Sequence, residues 1–216
     1  MSYEQAWQLQ ENLVFTRAKG QWDKDTLLLV EHPHVFTLGR RAESSHLLDP
    51  RDERGDLIPT FDVNRGGDIT YHGPGQVVGY PILHLGGVGG DVIVYLRTIE
   101  AVLIRVCQHF GLHAERRKAY TGVWVDGKKI ASIGVGVQRG YTLHGFALNV
   151  NTNLGFFERI VPCGIQGVEM ASIESLTGRP VTMEAVKRQV IREMGEAFQR
   201  TPEAGRLADI PLMRKP

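Results

Sequence analysis

Apolar residues recur at helical spacing in three stretches of this chain. Over residues 2–18, Ala6, Leu9 and Leu13 share one side and Ser2 is placed to cap the start. Over 92–110, Val92, Tyr95, Leu96, Ile99, Leu103, Val106, Cys107 and Phe110 hold the i, i+3, i+4, i+7 series, with Asp91 as cap and Gly111 as terminator. Over 183–198, Met183, Val186, Val190, Met194 and Phe198 repeat the pattern. Shorter runs read as strands: Leu27–Val30, Val35–Leu38, Phe61–Val63, Ile69–Tyr71, Gln76–Leu83, Gly122–Val125, Lys128–Val137 and Tyr141–Val150. Asp126-Gly127 is a two-residue hairpin signal, and Arg139-Gly140 marks a second turn. His72-Gly73-Pro74-Gly75 turns the chain between two strands, and Gly86–Gly90 is a glycine loop. Residues 41–58 read as a loop with room for a short helix, and 151–168 as a loop-rich segment. Residues 201–216, with Pro202, Pro211 and Pro216, read as a tail on the surface.

Strands that follow one another, rather than alternating with helices, argue against a doubly wound parallel sheet. The pattern predicts an α/β fold of the α+β type, a mixed and mostly antiparallel sheet packed with helices. With no repeat, linker or low-complexity tract, residues 1–216 are expected to form one domain.

Composition narrows the function classes. Hydrophobic residues make 42% and charged residues 23%, as in soluble globular proteins. A net charge of +1 gives no electrostatic case for nucleic acid or a membrane surface. The first residues carry no signal-peptide or transit character, and no apolar run is long enough to span a bilayer. Two cysteines, Cys107 and Cys163, are too few for a disulfide scaffold and form no C-x-x-C pair. A reduced, cytoplasmic chain is expected.

The two cysteines differ in context. Cys107 is in phase with the core face of its helix, where a free cysteine acts as a small hydrophobe. Cys163 lies in Val161-Pro162-Cys163-Gly164, which has no regular periodicity; it is either a packing residue under a loop or a nucleophile. A nucleophilic thiol needs an activator, because an ordinary thiol is mostly protonated at neutral pH. Lys129 alternates with Lys128 and shares a face with Ala131, Ile133, Val135 and Val137, which points it inward. The run from Arg65 to Gln76 has four glycines together with Arg65, Thr70, Tyr71 and His72. It is either a pair of tight turns or a backbone cradle for an anion or carbonyl oxygen. His144 is a half-buried strand residue or a site residue. His32 and His34 have no third ligand nearby, so a metal is not expected. No P-loop, dinucleotide fingerprint or zinc-protease motif is present.

The segment Arg65-Gly66-Gly67-Asp68-Ile69-Thr70-Tyr71-His72-Gly73-Pro74-Gly75-Gln76 resembles the signature of lipoyl(octanoyl) transferases. His32–Gly39, Gly122–Val125, Lys129–Gly134, His144–Val150 and Pro162–Ile165 resemble further segments of that family, in its order. One departure is Met170-Ala171-Ser172-Ile173, where the family usually has a Thr-Ser-Leu-like segment. The resemblance implies the fold shared by the catalytic domains of biotin and lipoate ligases. It implies that Cys163 carries an acyl thioester and that Lys129 lowers its pKa. Arg65, Gly66, Gly67, Asp68, Ile69, Thr70, Tyr71, His72, Ser132, Ile133, Gly134, His144, Gly145, Phe146 and Ala147 are then expected to contact the acyl substrate, with Tyr71 and Phe146 as walls. The implied reaction moves an octanoyl group from an acyl carrier protein to a lysine of a lipoyl domain. Expected acceptors are the lipoyl domains of 2-oxoacid dehydrogenase complexes and the glycine cleavage H protein. No cofactor and no metal are expected. Oxyanion donors are expected among the backbone amides of Gly66, Gly67 and Gly164. Arg40-Arg41 and Arg116-Arg117-Lys118 are candidate docking patches for an acidic carrier. The rivals are an ATP-dependent ligase on the same fold and a non-catalytic carrier-binding module.

Overall fold

A computed structural model describes residues 1–211. Helix α1 (Tyr3–Ala18) comes first, then strands β1 (Thr26–Val30), β2 (Val35–Leu38), β3 (Thr60–Asp62), β4 (Ile69–His72) and β5 (Gln76–Ile82). Helix α2 (Val92–His109) leads to β6 (Ala114–Arg117), β7 (Tyr120–Val125), β8 (Lys128–Gln138) and β9 (Tyr141–Asn149). The short helix α3 (Ile173–Thr177) and the longer α4 (Met183–Phe198) follow. Ser2 and Gln5 close α1 with a reciprocal capping box, and the Asp91 carboxylate accepts the Ile93 amide at 2.6 Å to start α2. No helix among the described residues is long and apolar enough to cross a membrane.

The strands form two sheets. The larger runs β1-β5-β9-β8-β7-β6, antiparallel throughout. The smaller runs β3-β2-β4, parallel between β2 and β3 and antiparallel between β2 and β4. The mixed, mostly antiparallel α+β arrangement expected from the pattern is therefore present. The split arises at residues 73–75, because β4 and β5 do not pair across that turn. The Gly75 amide donates to the Glu31 carboxylate at 2.7 Å. The Gly75 carbonyl accepts from the Val150 and Asn151 amides at 3.0 Å and from the Thr152 hydroxyl at 2.9 Å. These ties carry the chain from the small sheet into the large one. Strand β6, whose sequence is Ala-Glu-Arg-Arg, is not visible as an apolar alternation. It is an edge strand, where charge is the usual guard against edge pairing.

Helices α2 and α4 cover one face of the large sheet. Tyr95, Ile99, Leu103, Val106 and Cys107 pack with Val77, Val123, Ala131 and Leu148, joined by Val186, Val190 and Met194. The opposite face takes α1, where Ala6, Leu13 and Val14 meet Val78, Tyr80, Leu143 and Ala147. Tyr3 and Trp7 of α1 also reach Val35, Phe61 and Val63, so the small sheet lies on this face too. Near the C-terminus, Ile210 is buried in the α1 cluster and the Asn12 side-chain amide donates to the Pro211 carbonyl at 2.6 Å. The expected surface tail is therefore anchored at that point. Residues 201–209 are described and exposed, and residues 212–216, including Pro216, lie outside the described residues.

Candidate active site

Between the two layers lies a cavity of about 610 Å³, within the size range of small-molecule sites. Strand β4 contributes Thr70 and His72, with Asp68 just before it, and β5 contributes Val78 and Tyr80. Strand β8 contributes Lys129, Ser132, Ile133 and Gly134, and β9 contributes His144, Gly145, Phe146 and Ala147. Arg65, Gly66, Gly67 and Cys163 complete this wall. Ile69 and Tyr71 do not line the cavity. Strand alternation turns both to the other side of β4, into a cluster with Phe36, Phe156 and Phe157. The Tyr71 hydroxyl is 2.7 Å from His34 Nδ1 there.

Lys129 is only 1% exposed, as its inward phase predicts. Its expected companions are not on its side, however. Lys129 pairs with Trp124 while Ala131 pairs with Val123, so β8 carries one extra residue between them. That bulge shifts the parity of the strand. Ala131 and Val135 pack under α2, Val137 is exposed, and Ser132 comes round to the Lys129 side. The Lys129 backbone is held by the segment that follows Cys163: its amide donates to the Glu169 carbonyl at 2.8 Å, and the Ala171 amide donates to its carbonyl at 2.9 Å. This short parallel bridge brings a distant loop against the lysine.

The result is a direct contact. Lys129 Nζ lies 3.1 Å from Cys163 Sγ, and Ser132 Oγ lies 3.8 Å away. Burial pushes the Cys163 thiol up, but the Lys129 charge and hydrogen bond, then Arg65 and Ser132, outweigh it and hold the thiol below its ordinary value. Cys163 has φ 57° and ψ 20°, a left-handed conformation, which costs a non-glycine residue on the order of 1–3 kcal/mol. The loop is fastened around it. A Cβ on Gly164 would stand 2.5 Å from Asp68 Oδ2, and the same oxygen is 2.7 Å from His46 Nδ1. The His46 carbonyl accepts the Val161 amide at 2.8 Å. His46 carried no signal in the sequence, being a lone histidine in a polar loop.

Arg65 is buried and makes no ion pair among the described residues. Its guanidinium donates to the Thr37 carbonyl and hydroxyl at 2.6 and 2.9 Å and to the Gly66 carbonyl at 3.0 Å. Of the expected oxyanion donors, Gly66 already donates to Val135 and Gly164 to Val161, at 2.8 and 3.1 Å. Among the described residues no loop or turn hydrogen bond is seen from the amides of Gly67 and Cys163, and both residues line the cavity.

Both cavity histidines are held neutral. His72 Nδ1 is 2.7 Å from Gln76 Oε1, while the Gln76 amide nitrogen donates to the Tyr71 carbonyl and Asn149 Oδ1, so His72 carries its proton on Nδ1. Burial first, then His32, lowers its pKa to about 3. His144 has φ 57°, and this turns its ring out of the alternation of β9 to the α1 side. There its backbone amide donates to Gln10 Oε1 at 2.7 Å and its Nε2 lies 2.6 Å from Asn64 Oδ1. Burial, then Arg65 and Arg40, lowers its pKa to about 3. Tyr3 of α1 lines the cavity and Gln10 of α1 holds the His144 backbone, and the motif reading missed both. Gln10 sits in phase with Ala6 and Leu13, and a polar residue inside an apolar stripe was the available signal.

Of the two arginine patches, Arg40 and Arg41 are exposed, line the cavity and make no ion pair among the described residues. Arg116 is instead bound to Glu100 at 3.1 Å, and the Arg117 guanidinium lies 4.5 Å from the Trp124 ring centroid.

Residues 2–195 match the model of the lipoyl protein ligase A/B catalytic domain. The octanoyltransferase of Syntrophotalea carbinolica is 51% identical over 191 residues, covering 88% of this chain and 87% of its own. The octanoyltransferase of Mycobacterium tuberculosis is 47% identical over 193 residues, covering 88% and 80%. Among solved structures, the bi-partite lipoate protein ligase of Thermoplasma acidophilum superposes with a TM-score of 0.68 at 17% identity, over 91% of this chain and 81% of that one. Lipoate-protein ligase A bound with ATP gives 0.65 at 18% identity, over 88% and 81%. At these identities the structural likeness speaks for the fold alone.

Proposed function

This chain belongs to the lipoyl protein ligase A/B catalytic-domain family, and we propose that it is an octanoyltransferase of protein lipoylation in which Cys163 carries the acyl group and Lys129 moves the protons. The relatives named octanoyltransferase support acyl transfer as the activity. What supports the residue roles is the 3.1 Å contact between a buried ammonium and a strained loop thiol.

The donor is an octanoyl thioester on an acyl carrier protein. Thiolate Cys163 attacks its carbonyl carbon, forming a new C–S bond and a tetrahedral oxyanion. The amides of Gly67 and Cys163 are the donors for that oxygen. The carrier sulfur leaves and takes the Lys129 proton, which leaves Lys129 as an amine. The acceptor lysine arrives as an ammonium, and Lys129 takes one of its protons. The freed amine attacks the Cys163 thioester, the amide forms, and Cys163 departs as a thiolate beside a recharged Lys129. One proton is released to solvent. A thioester is exchanged and then spent on an amide, so the sequence runs downhill without ATP. His72 and His144, both neutral, are positioning groups for the carbonyl or the incoming amine.

Arg40 and Arg41 at the cavity are the docking charges for an acidic carrier. The acceptors are lipoyl domains, including those of 2-oxoacid dehydrogenase complexes and the glycine cleavage H protein. Residues 1–216 act as one catalytic domain in the cytoplasm.

The test is incubation with octanoyl carrier protein in the absence of ATP, followed by mass spectrometry. An octanoyl adduct on Cys163, discharged by a lipoyl domain, is expected. Cys163→Ala should form no adduct and transfer nothing while still binding the carrier. Activity that appears only with free octanoate and ATP would assign the chain to the ligases instead.

A further inference from the structure

Glu100 is a fully buried carboxylate that the proposed reaction does not use. It occupies the apolar stripe Leu96, Glu100, Leu103 and Cys107 of α2, where an unpaired charge would be prohibitive. Its Oε2 accepts from Arg97 at 2.7 Å and from Arg116 at 3.1 Å. Both arginine side chains are partly in water, 46% and 41% exposed. Its Oε1 has a different partner, the buried backbone amide of Gly122, at 3.1 Å.

Gly122 is the wall against which Lys129 rests. Its φ is +137°, and a Cβ there would lie 2.8 Å from Lys129 Cε and 2.7 Å from the Ala131 carbonyl. Trp124, two residues on along β7 and thus on the same face, puts its ring centroid 5.6 Å from Lys129 Nζ. Gly122 and Trp124 together flank the lysine side chain on its way to Cys163. Fixing the Gly122 amide therefore fixes where the ammonium ends.

We infer that Glu100 is a positioning residue: its hydrogen bond to Gly122 sets the wall that holds Lys129 Nζ within reach of Cys163 Sγ. This rests on the reading of Cys163 and Lys129 as the reacting pair. A purely structural Glu100 would do nothing but tie α2 to β6 through Arg116, with Arg97 completing the pairing on α2 itself.

The two roles predict opposite orders for two conservative variants. Glu100→Asp keeps the charge, and the exposed arginines can follow it, but its shorter side chain withdraws from Gly122. Glu100→Gln loses the charge and keeps an oxygen for the Gly122 amide. The readout is the iodoacetamide alkylation rate of Cys163 against pH in the full-length protein, resolved by mass spectrometry. At pH well below the thiol pKa, a rise of one unit in that pKa cuts the thiolate about tenfold, and the greater reactivity of the more basic thiolate returns about threefold, leaving about threefold. Glu100→Asp is expected to slow alkylation by about that factor, and Glu100→Gln to match the wild type. In a Lys129→Met background Glu100→Asp should slow it no further, because both changes act through one ammonium. Glu100→Gln slower than Glu100→Asp, or an equal additional slowing in the Lys129→Met background, would overturn the inference. A wild-type Cys163 that reacts like an ordinary thiol would overturn it too, and would do so by removing the reacting pair itself.

Discussion

Cys107 and Cys163 share one chain and one reference chemistry. Cys107 lies on α2 with no exposed surface, packed among Leu103, Val106 and the strand residues beneath. Burial alone pushes its thiol up to about 12. Burial pushes Cys163 in the same direction, yet its thiol ends below the ordinary value, because Lys129 and then Arg65 face it. The backbones differ as well: Cys107 is helical and relaxed, Cys163 is left-handed and held by its neighbours. Depth makes a thiol inert in this protein, and a buried cation reverses the effect. The two faces of the large sheet divide along the same line. Under α2 and α4 a large apolar cluster carries a few buried polar groups, Glu100, Gln189 and Glu193, whereas the cavity gathers Arg65, Asp68, His72, Lys129 and His144.

Removing the cation is the strongest way to break this comparison. Lys129→Met keeps most of the side-chain volume and deletes the charge. Cys163 should then follow burial, and its alkylation should rise only at a pH above that of an ordinary thiol. Octanoyl transfer should fall by about 10²–10⁴, the usual worth of a positioned acid–base group. Alkylation against pH, together with single-turnover transfer, measures both. A Cys163 still reactive at neutral pH would mean that Arg65 suffices, and the role of Lys129 would narrow to moving protons.

Much of this was legible in the chain, and what was not has a common cause. The helical stripe of α2, the inward phase of Lys129 and the irregular setting of Cys163 follow from periodicity and loop chemistry. The residues around them came from resemblance. Alternation counts fail where one residue changes parity. The extra residue in β8 puts Ser132 beside Lys129 at a spacing of three, and the left-handed backbone of His144 turns its ring toward Trp7 of α1, while Phe146 and Leu148 pack into the cluster under α2. The turn at Gly73–Gly75 reads from its residues simply as a turn between two strands, yet its hydrogen bonds go to Glu31 and to residues 150–152, and the strands on either side enter different sheets. Such long-range partners are absent from any local pattern.

Acid sharpens the contrast between the faces. Burial lowers the pKa of His32 to about 4 and of His72 and His144 to about 3. His72 and His144 line the cavity, His32 bonds to Tyr80 behind it, and no other histidine is buried among the described residues. These are bases whose folded values lie below the unfolded 6.5, so the unfolded chain takes up protons first. Their contribution is fully present above about pH 6.5 and is lost as pH falls from there toward 4, at about 1.4 kcal/mol per pH unit for each ring. Denaturant midpoints at pH 7.5 and 5.5 should show the loss, and hydrogen exchange should show β4 and β9 opening before α2. His32→Gln should flatten the slope. Equal stability at both pH values would mean that the rings are not held neutral.

The mildest test falls on the other thiol. Cys107→Ala removes one sulfur from a packed cluster and leaves a cavity of about one atom, so the cost should be about 1 kcal/mol in the denaturant midpoint. Among the described residues no hydrogen bond of the Cys107 thiol is seen, and its side chain lies in the apolar cluster. Octanoyl transfer, and the alkylation profile of Cys163, should be unchanged within error. The two faces meet through Glu100, seven residues before Cys107 on the same helix, so a shift of α2 would be felt at Gly122 and then at Lys129. Cys107→Ala therefore separates depth from chemistry: a drop in stability alone keeps the two thiols distinct, while a slowed Cys163 would mean that packing around α2 also sets the reach of the ammonium.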